Sequence, residues 1–387
     1  MNNNVELQEL MEKLRKDEKS KKLAGDFLVQ ASKNGNVNFI KLLLLIVDEI
    51  PQDALIGAAK KVRTNLNDAL LTAANNGNVE TVKFLLERGA DVHADRDCAL
   101  HFAAIKGNAE LVKFLIEAGA DVNSAEGSPL FWAARDGYTK VAKLLIEAGA
   151  DVNINEGHAL IAATERGNAE VVKLLIESGA DVNIDRGHAL CIAAREGNFE
   201  IAKLLVEAGA NVHAEEDYAL CAAAGKRDPK FVKLLIEAGA NVHAQGEWPL
   251  CIASEKGNAE VVKILLEAGA NVNGGVGWPL RIAAKEENVE VVKLLLEAGA
   301  NVHNAILFWA ASYFNAEVIK LLVEAGANVH AWDDYALRTA VSEGNAEIVK
   351  LLLKAGADVH ANNDEALEQI RWVKNPEVKR LIIEAAK

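Results

Sequence analysis

Aromatic residues, cysteine and basic charge are all scarce in this chain of 387 residues. Aromatic side chains make up only 5% of it although half of the residues are apolar, so we expect a core of Ala, Leu, Val and Ile. Four cysteines are too few for the disulfide framework of a secreted protein. The 42 basic residues are outnumbered by 56 acidic ones, which gives a formal net charge of -14. This balance argues against a nucleic-acid binder, which needs Lys and Arg against the phosphates, and it favours a soluble monomer with a basic partner.

Long apolar runs are also missing. The most apolar stretch, 39–47, is interrupted by Lys41 and is far shorter than the roughly 20 residues that a membrane-spanning helix needs. Residues 1–14 are polar and acidic and lack the apolar core of a signal peptide. We therefore expect a cytoplasmic protein without a membrane partner.

What the sequence does contain is a repeat of 30 residues. The dipeptide Gly-Ala recurs at this interval from Gly89 to Gly299, then after 27 residues at Gly326 and after 30 more at Gly356. Residues 158–183 show one copy, HALIAATERGNAEVVKLLIESGADVN, and the other copies differ from it at few positions. A fixed interval of this length indicates an array of small structural repeats.

Each repeat has the signals of two short helices. Residues 159–166 are mostly helix formers that end at Gly167, and Asn168 is the predicted N-cap of a second helix rich in Val, Leu and Ile. Gly179 supplies the left-handed residue that ends this helix, and a short extended link, 180–183, leads to the next repeat. Helices of two or three turns are not stable alone in water, so the repeats must be stabilised by stacking.

This pattern resembles the ankyrin repeat family. The resemblance rests on the core A-A-x-x-G-N-x-E-x-V-K-L-L-x-x-G-A-D/N-V, which is present at 103–122 and in most later repeats. Family repeats usually have 33 residues and begin with Thr-Pro-Leu-His, whereas here the link is three residues shorter and the motif is lost, as at 128–131. The hairpin fingers of the family are therefore expected to be short. The short form with Asp-x-Ala-Leu, as at 217–220, is similar to repeats from giant viruses and intracellular bacteria.

A leucine near the start of the first helix marks each repeat. The markers are Leu28, Leu70, Leu100, Leu130, Leu160, Leu190, Leu220, Leu250, Leu280, Leu307, Leu337 and Leu367. They predict an all-α ankyrin-repeat solenoid of about twelve stacked helix-turn-helix units with short hairpin links. We expect a capping helix at 1–23, irregular repeats at 24–67, regular repeats at 68–363 and a capping repeat at 364–387. Leu55 marks an extra first helix without a second one, and a kink is expected there.

The sequence contains no recognisable catalytic motif. Cys191, Cys221 and Cys251 occupy one position of consecutive repeats, so they should lie about 10 Å apart, too far for a disulfide or a shared zinc ion. The same spacing argues against a metal shared by His158 and His188. A second position, which is filled by either His or Asn, is expected to make a hydrogen bond in the link. We therefore expect a non-enzymatic protein without a cofactor or a metal.

The expected binding surface is the concave face, which the first helices form in the ankyrin family. The second residue before and the second residue after each marker leucine are expected to lie there, and many of them are aromatic. With Trp332, the predicted partner-binding residues are Phe102, Trp132, His158, His188, Tyr218, Trp248, Trp278, Trp309 and Tyr335. Aromatic side chains are typical of interface hot spots, but the short links also allow neighbouring repeats to cover them as part of the core.

Three functions are consistent with this surface. In the first, the chain is a scaffold that holds a protein or peptide, and the resemblance to viral repeats favours a host or competitor protein as its target. In the second, the aromatic groove sequesters a nucleotide or another small molecule with the help of His158 and His188. In the third, the near-identical repeats form a designed array, against which the irregular segment 53–67 argues. We favour the first.

Overall fold

The computed structural model describes residues 28–33, 40, 66–302, 306–313 and 315–387. The predicted capping helix at 1–23, the extra helix around Leu55 and most of the irregular segment lie outside the described residues. The chain divides into two compact units, Met1–Ala189 and Leu190–Lys387.

Unit 1 consists of helix pairs in the order that the repeat predicts. Among its described residues, 28–33 are helical, and the helices from residue 66 onward are α1 at 66–75, α2 at Val79–Glu87, α3 at Ala94–Ile105, α4 at Ala109–Glu117, α5 at Ser124–Arg135, α6 at Thr139–Glu147, α7 at Ile154–Glu165 and α8 at Ala169–Glu177. The division between the units falls within α9 at Ile184–Glu196. Odd-numbered helices are the first helices of their repeats and even-numbered helices are the second.

Unit 2 continues the same order. Its helices are α10 at Phe199–Glu207, α11 at Ala214–Gly225, α12 at Pro229–Glu237, α13 at Ala244–Glu255, α14 at Ala259–Glu267, α15 at Gly274–Lys285, α16 at Val289–Glu297, α17 at Ile306–Tyr313, α18 at Ala316–Glu324, α19 at Ala331–Ser342, α20 at Ala346–Lys354, α21 at Ala361–Gln369 and α22 at Pro376–Ala385. All regular elements among the described residues of both units are helices, which confirms the predicted all-α fold.

Stacking holds the short helices in place. In unit 1, α3 packs against α5 and α5 against α7, while α4 packs against α6 and α6 against α8. Within unit 2, the first helices pack successively from α11 to α21 and the second helices from α10 to α22. The marker leucines are buried except for the half-buried Leu367, and Leu100, Leu160 and Leu250 are fully buried. Burying a leucine completely contributes roughly 1.5–3 kcal/mol, so each repeat depends on its neighbours for stability.

The link between repeats is a left-handed turn. Asp95, Arg96 and Asp97 have φ angles of 50°, 58° and 60°, and Asp97 N–H donates to the His93 carbonyl oxygen at 3.4 Å. The predicted extended segment is therefore replaced by a turn followed by three left-handed residues. A link three residues shorter than that of a 33-residue repeat is too short for the two strands of a finger, so one turn reverses the chain. Residues other than glycine seldom adopt this conformation, which indicates that surrounding contacts hold it.

One kind of link pairs a histidine with a carboxylate four residues later. The pairs are His93/Asp97, His213/Asp217, His243/Glu247, His330/Asp334 and His360/Asp364. In the first of them, Asp97 Oδ1 lies 3.0 Å from His93 Nδ1 and accepts the N–H of Asp121, in the following link, at 3.0 Å. The carboxylate therefore accepts a hydrogen bond from a backbone N–H of the next repeat. A backbone N–H that is buried without an acceptor costs free energy, so this bond stabilises the stack.

The other kind of link pairs an asparagine with a glycine. The pairs are Asn123/Gly127, Asn153/Gly157, Asn183/Gly187 and Asn273/Gly277. Asn153 Oδ1 accepts the N–H of Asp181 at 2.7 Å, and its Nδ2 donates to the carbonyl oxygen of Gly179 at 3.1 Å. The asparagine thus accepts a backbone N–H of the following link, as the carboxylate does in the first kind of link. The predicted hydrogen bond at the His/Asn position is confirmed in both kinds.

The asparagine of the Gly-Asn turn has a different role from the one predicted at Asn168. Asn168 does stand at the N-cap of α8, but its side chain accepts no N–H of that helix. Its Nδ2 instead donates to the carbonyl oxygens of Ala134 and Arg135 in the preceding repeat, at 2.9 and 2.8 Å. Carbonyl groups at the end of a helix lack partners within the helix, so this side chain joins two repeats. The predicted cap is found elsewhere, as where Asn108 Oδ1 accepts the Leu111 N–H at 3.1 Å.

Candidate functional site

The predicted partner-binding residues all lie on first helices, including the links with which these helices begin. We call this surface the first-helix face and describe it separately in each unit. Four of the ten side chains, those of His158, Trp248, Trp278 and Trp332, are exposed, and the other six are half-buried. None is buried, so each of these side chains is accessible at least in part.

In unit 1 the face carries a cluster of aromatic rings, which we call the unit 1 cluster. Phe102 of α3 and Trp132 of α5 were predicted, and the ring of His101 lies between them, with centroids 6.0 Å from Phe102 and 6.1 Å from Trp132. Phe131 adds an edge-to-face contact with Trp132 at 5.3 Å. The guanidinium of Arg135 lies over the Trp132 ring at 4.2 Å. The cluster therefore combines apolar rings with one cation.

His101 is the residue of this cluster that sequence reasoning missed. Its Nδ1 lies 2.7 Å from Ser128 Oγ, and burial lowers the pKa of the imidazole. A neutral ring at pH 7 is consistent with its place among aromatic side chains. Its position in the repeat was the one sequence signal that could have pointed to it. His101 directly follows marker Leu100, and the residues at this position in later repeats include the cysteines that are buried.

The two other predicted residues of unit 1 do not join this cluster. His158 is exposed at the start of α7, with neither a hydrogen bond nor a ring contact to any described residue. His188 is half-buried in the corresponding position of α9. Among the residues that the structure describes, no group of His, Cys, Asp and Glu side chains fits a metal ion.

In unit 2 the face carries two neighbouring tryptophans, which we call the Trp pair. Trp248 of α13 is 38% exposed and Trp278 of α15 is 43% exposed. Their ring centroids lie 6.2 Å apart with an interplanar angle of 46°. Tyr218, at the same position one repeat earlier, is half-buried. Large apolar side chains that contact each other and also face solvent are typical of binding surfaces.

The repeat after the Trp pair places a cation over its aromatic ring. Trp309 of α17 is half-buried, and the guanidinium of Arg281, from the preceding first helix, lies over its ring at 5.5 Å. The arginine replaces the cysteine that stands at this position in earlier repeats. The three cysteines at that position, Cys191, Cys221 and Cys251, are buried free thiols.

A third group of unit 2 is built around Arg338 of α19. Its guanidinium lies over the Tyr335 ring at 5.4 Å, and it donates to the carbonyl oxygens of Trp332 at 3.1 Å and Asp333 at 3.0 Å. It also forms an ion pair with Glu365, whose pKa is lowered by hydrogen bonds from Asn362 and from this arginine. These bonds hold the left-handed link in which Trp332, with a φ of 53°, is 53% exposed.

Trp332 is therefore a bulky aromatic residue in a conformation that L-residues avoid. Such strain persists only where surrounding contacts hold it, and it is common at functional sites. Arg338 supplies such contacts through the carbonyl oxygens of Trp332 and Asp333.

The comparisons with known proteins agree with the repeat architecture. The family model described as ankyrin repeats (3 copies) matches residues 2–96, 27–126, 70–156, 130–216, 190–276 and 280–363. In a comparison with curated proteins, no relative matched the chain. In the part of the chain that the structure describes, no helix has the length and apolarity needed to cross a bilayer. Because the family matches extend over far more than half of the sequence, the chain belongs to the ankyrin repeat family.

Proposed function

We propose that this chain is a non-catalytic scaffold that holds a partner protein or peptide on the aromatic first-helix face. Ankyrin repeats are generally modules of protein–protein interaction. The observation that carries the proposal is the exposure of the predicted side chains. Trp248, Trp278 and Trp332 are each more than a third exposed, although tryptophan side chains are normally well buried in a folded protein.

The chemistry of the face also supports a macromolecular partner. Aromatic side chains and arginine are enriched in interface hot spots, and both are present here as Arg135 over Trp132 and Arg338 over Tyr335. Small molecules prefer a concave site that encloses most of their surface, whereas the rings of the Trp pair face solvent. The face therefore favours protein binding over the sequestering of a small molecule.

Affinity capture tests the proposal. The full chain and a variant with Trp248→Ala, Trp278→Ala and Trp309→Ala are immobilised and exposed to lysates of candidate host cells. Trp372→Ala is the matched control, because Trp372 is 86% exposed on the last repeat but lies outside the predicted set. A protein retained by the chain and by the control, and lost with the triple variant, supports the proposal. Equal retention by all three contradicts it, provided that the far-ultraviolet circular dichroism of the variants is unchanged.

A further inference from the structure

The Trp pair differs from three other aromatic side chains of the first-helix face, over each of which the chain places an arginine. Elsewhere on the face, a guanidinium from the chain covers a ring, and these contacts are Arg135 over Trp132, Arg281 over Trp309 and Arg338 over Tyr335. No Lys or Arg of the described residues lies over Trp248 or Trp278. Three of the rings that the face presents are thus already matched with guanidinium groups, and the two exposed rings of the Trp pair are not.

The backbone beside the Trp pair leaves its rings open. The link before Trp248 contains Gly246, and the link before Trp278 contains Gly274 and Gly275. A Cβ atom at Gly246 would have nothing within 4 Å, while one at Gly275 would lie 3.4 Å from the Trp278 Cβ. The two indoles are 38% and 43% exposed, so a long side chain of a partner has access to them.

The links beside the Trp pair carry negative charge. The three link segments 211–220, 241–250 and 271–280 contain four carboxylates and no Lys or Arg. Arg281, which directly follows the third segment, lies over the Trp309 ring of the next repeat. Two of the carboxylates, Asp217 and Glu247, are buried in link hydrogen bonds, whereas Glu215 and Glu216 are exposed in the repeat before Trp248. Helices α11, α13 and α15 pack successively, so the acidic link and both indoles belong to consecutive repeats of one layer.

We propose that the Trp pair binds arginine side chains of an extended, basic segment of the partner protein. A guanidinium stacks on the face of Trp248 or Trp278, and Glu215 and Glu216 provide the opposite charge for a neighbouring basic residue. Tryptophan is the aromatic side chain that attracts cations most strongly. The planar guanidinium of arginine combines this cation–π attraction with stacking on the face of the ring. This inference rests on the proposed function and names the chemical class of the partner.

Binding of a defined peptide tests this assignment without a known partner. The probe is a fluorescein-labelled peptide in which four arginines alternate with glycine, measured by fluorescence anisotropy with the full chain at physiological salt. The control is a peptide of the same length in which citrulline replaces each arginine, so that a neutral group of similar shape stands in place of each guanidinium. We expect saturable binding of the arginine peptide and at least tenfold weaker binding of the citrulline peptide, as expected for contacts that need the charge.

Two variants and one control locate the site. Trp248→Leu with Trp278→Leu removes the π faces but keeps apolar side chains, and it should weaken arginine-peptide binding about tenfold. Glu215→Gln with Glu216→Gln should weaken binding and reduce its salt dependence. Trp372→Leu should bind as the unchanged chain does. Circular dichroism and melting temperature check that the exposed substitutions leave the fold intact.

The possible results separate this inference from the proposed function. Equal binding of the arginine peptide to the unchanged chain and to the double leucine variant would show that only net charge attracts it, and the assignment would be wrong. Absence of binding to the unchanged chain would overturn it as well. In either case, a partner whose capture is lost with the alanine variant would still support the scaffold function, with a different chemistry at the Trp pair.

Discussion

The carboxylate of Asp217 accepts the backbone N–H of Asn241 at 2.8 Å and so joins two consecutive repeats. The same oxygen lies 3.0 Å from His213 Nδ1, which orients the carboxylate from within its own link. Asp217 is only 7% exposed, so water has little access to the carboxylate itself. The equivalent pair in the last repeat, His360 and Asp364, has the same internal contact, at 2.7 Å, but Asp364 is exposed and accepts no N–H of a later repeat among the described residues.

Replacing Asp217 with alanine should therefore destabilise unit 2, and the same change at Asp364 should not. The first change removes a carboxylate that is only 7% exposed and leaves the N–H of Asn241 without this acceptor, at a cost of about 1–3 kcal/mol. The second should cost less than about 0.5 kcal/mol, as at ordinary surface positions. Urea unfolding gives the free energies, and hydrogen exchange at the Asn241 amide reports the local effect. Similar losses for the two variants would refute the role given to the link carboxylate.

The two kinds of link should be interchangeable as pairs. His213→Asn combined with Asp217→Gly reproduces the pair that Asn153 and Gly157 form, in which the asparagine accepts the next N–H. The double variant should lie within about 1 kcal/mol of the unchanged chain, whereas Asp217→Gly alone should lose more because it removes the only acceptor. A double-mutant cycle in urea measures the coupling. Additive effects of the two changes would contradict the prediction.

Glu247 provides a further test, because it is the one glutamate among the described histidine–carboxylate pairs. Its longer side chain needs room, and a Cβ at Gly274 of the next repeat would come within 2.1 Å of Glu247 Cγ. One repeat earlier, the shorter Asp217 stands at the position of Glu247 and Ala244 stands at the position of Gly274. Gly274→Ala should therefore destabilise the chain by about 1–3 kcal/mol through overpacking, and Glu247→Asp should relieve most of that loss. Thermal unfolding of the unchanged chain, the two single variants and the double variant measures the coupling between the two positions. A loss of stability in Gly274→Ala that Glu247→Asp does not reduce would count against the steric explanation.

The helices could be predicted from the sequence because each of their boundaries has a local signal. Gly179 ends α8 with a φ of 89°, and Asn168 stands where α8 begins, so the 30-residue interval predicts both layers of the stack. The left-handed links could not be predicted in this way. Their conformation is maintained by hydrogen bonds to the next repeat, such as that from Asp121 to Asp97, and single-residue preferences oppose it.

The candidate site was predictable only as a set of positions. The exposure of Trp248 and Trp278 follows from the phase of the repeat, which places the same residue of every first helix on the same face. The contact of Arg281 with Trp309 joins residues of different repeats, and that of His101 with Trp132 depends on side-chain orientation. Such contacts depend on packing between repeats, which the pattern along one repeat does not contain.

The cysteines should differ sharply in reactivity. Burial raises the pKa of Cys191 and Cys251 to about 12 and that of Cys221 to about 11, and it also raises the pKa of Cys98, although this thiol is only half-buried and open to reagents. Since the thiolate is the reactive form, the three buried thiols should resist a disulfide reagent at pH 8 in the folded chain. One thiol per chain should react, and all four should react in denaturant. Cys98→Ser should abolish the reaction in the folded chain, and a persisting reaction would show that the buried row opens readily.

His101 should make unit 1 less stable in mild acid. Burial lowers the pKa of its imidazole, so the unfolded chain takes up this proton at a higher pH than the folded chain does. Above the ordinary value near 6.5 both states are neutral and the residue has no effect on the pH dependence. As the pH falls below that value the unfolded state gains the proton first, so the stability of the folded chain decreases.

His101→Gln keeps a hydrogen-bonding group near Ser128 without the titration, and it should reduce the loss of stability between pH 7 and pH 5. Urea unfolding at the two pH values measures that loss, and an NMR titration of the His101 ring checks the direction of the shift. An equal loss in both chains, or a ring that titrates above 6.5, would show that the cluster does not disfavour the charged imidazole.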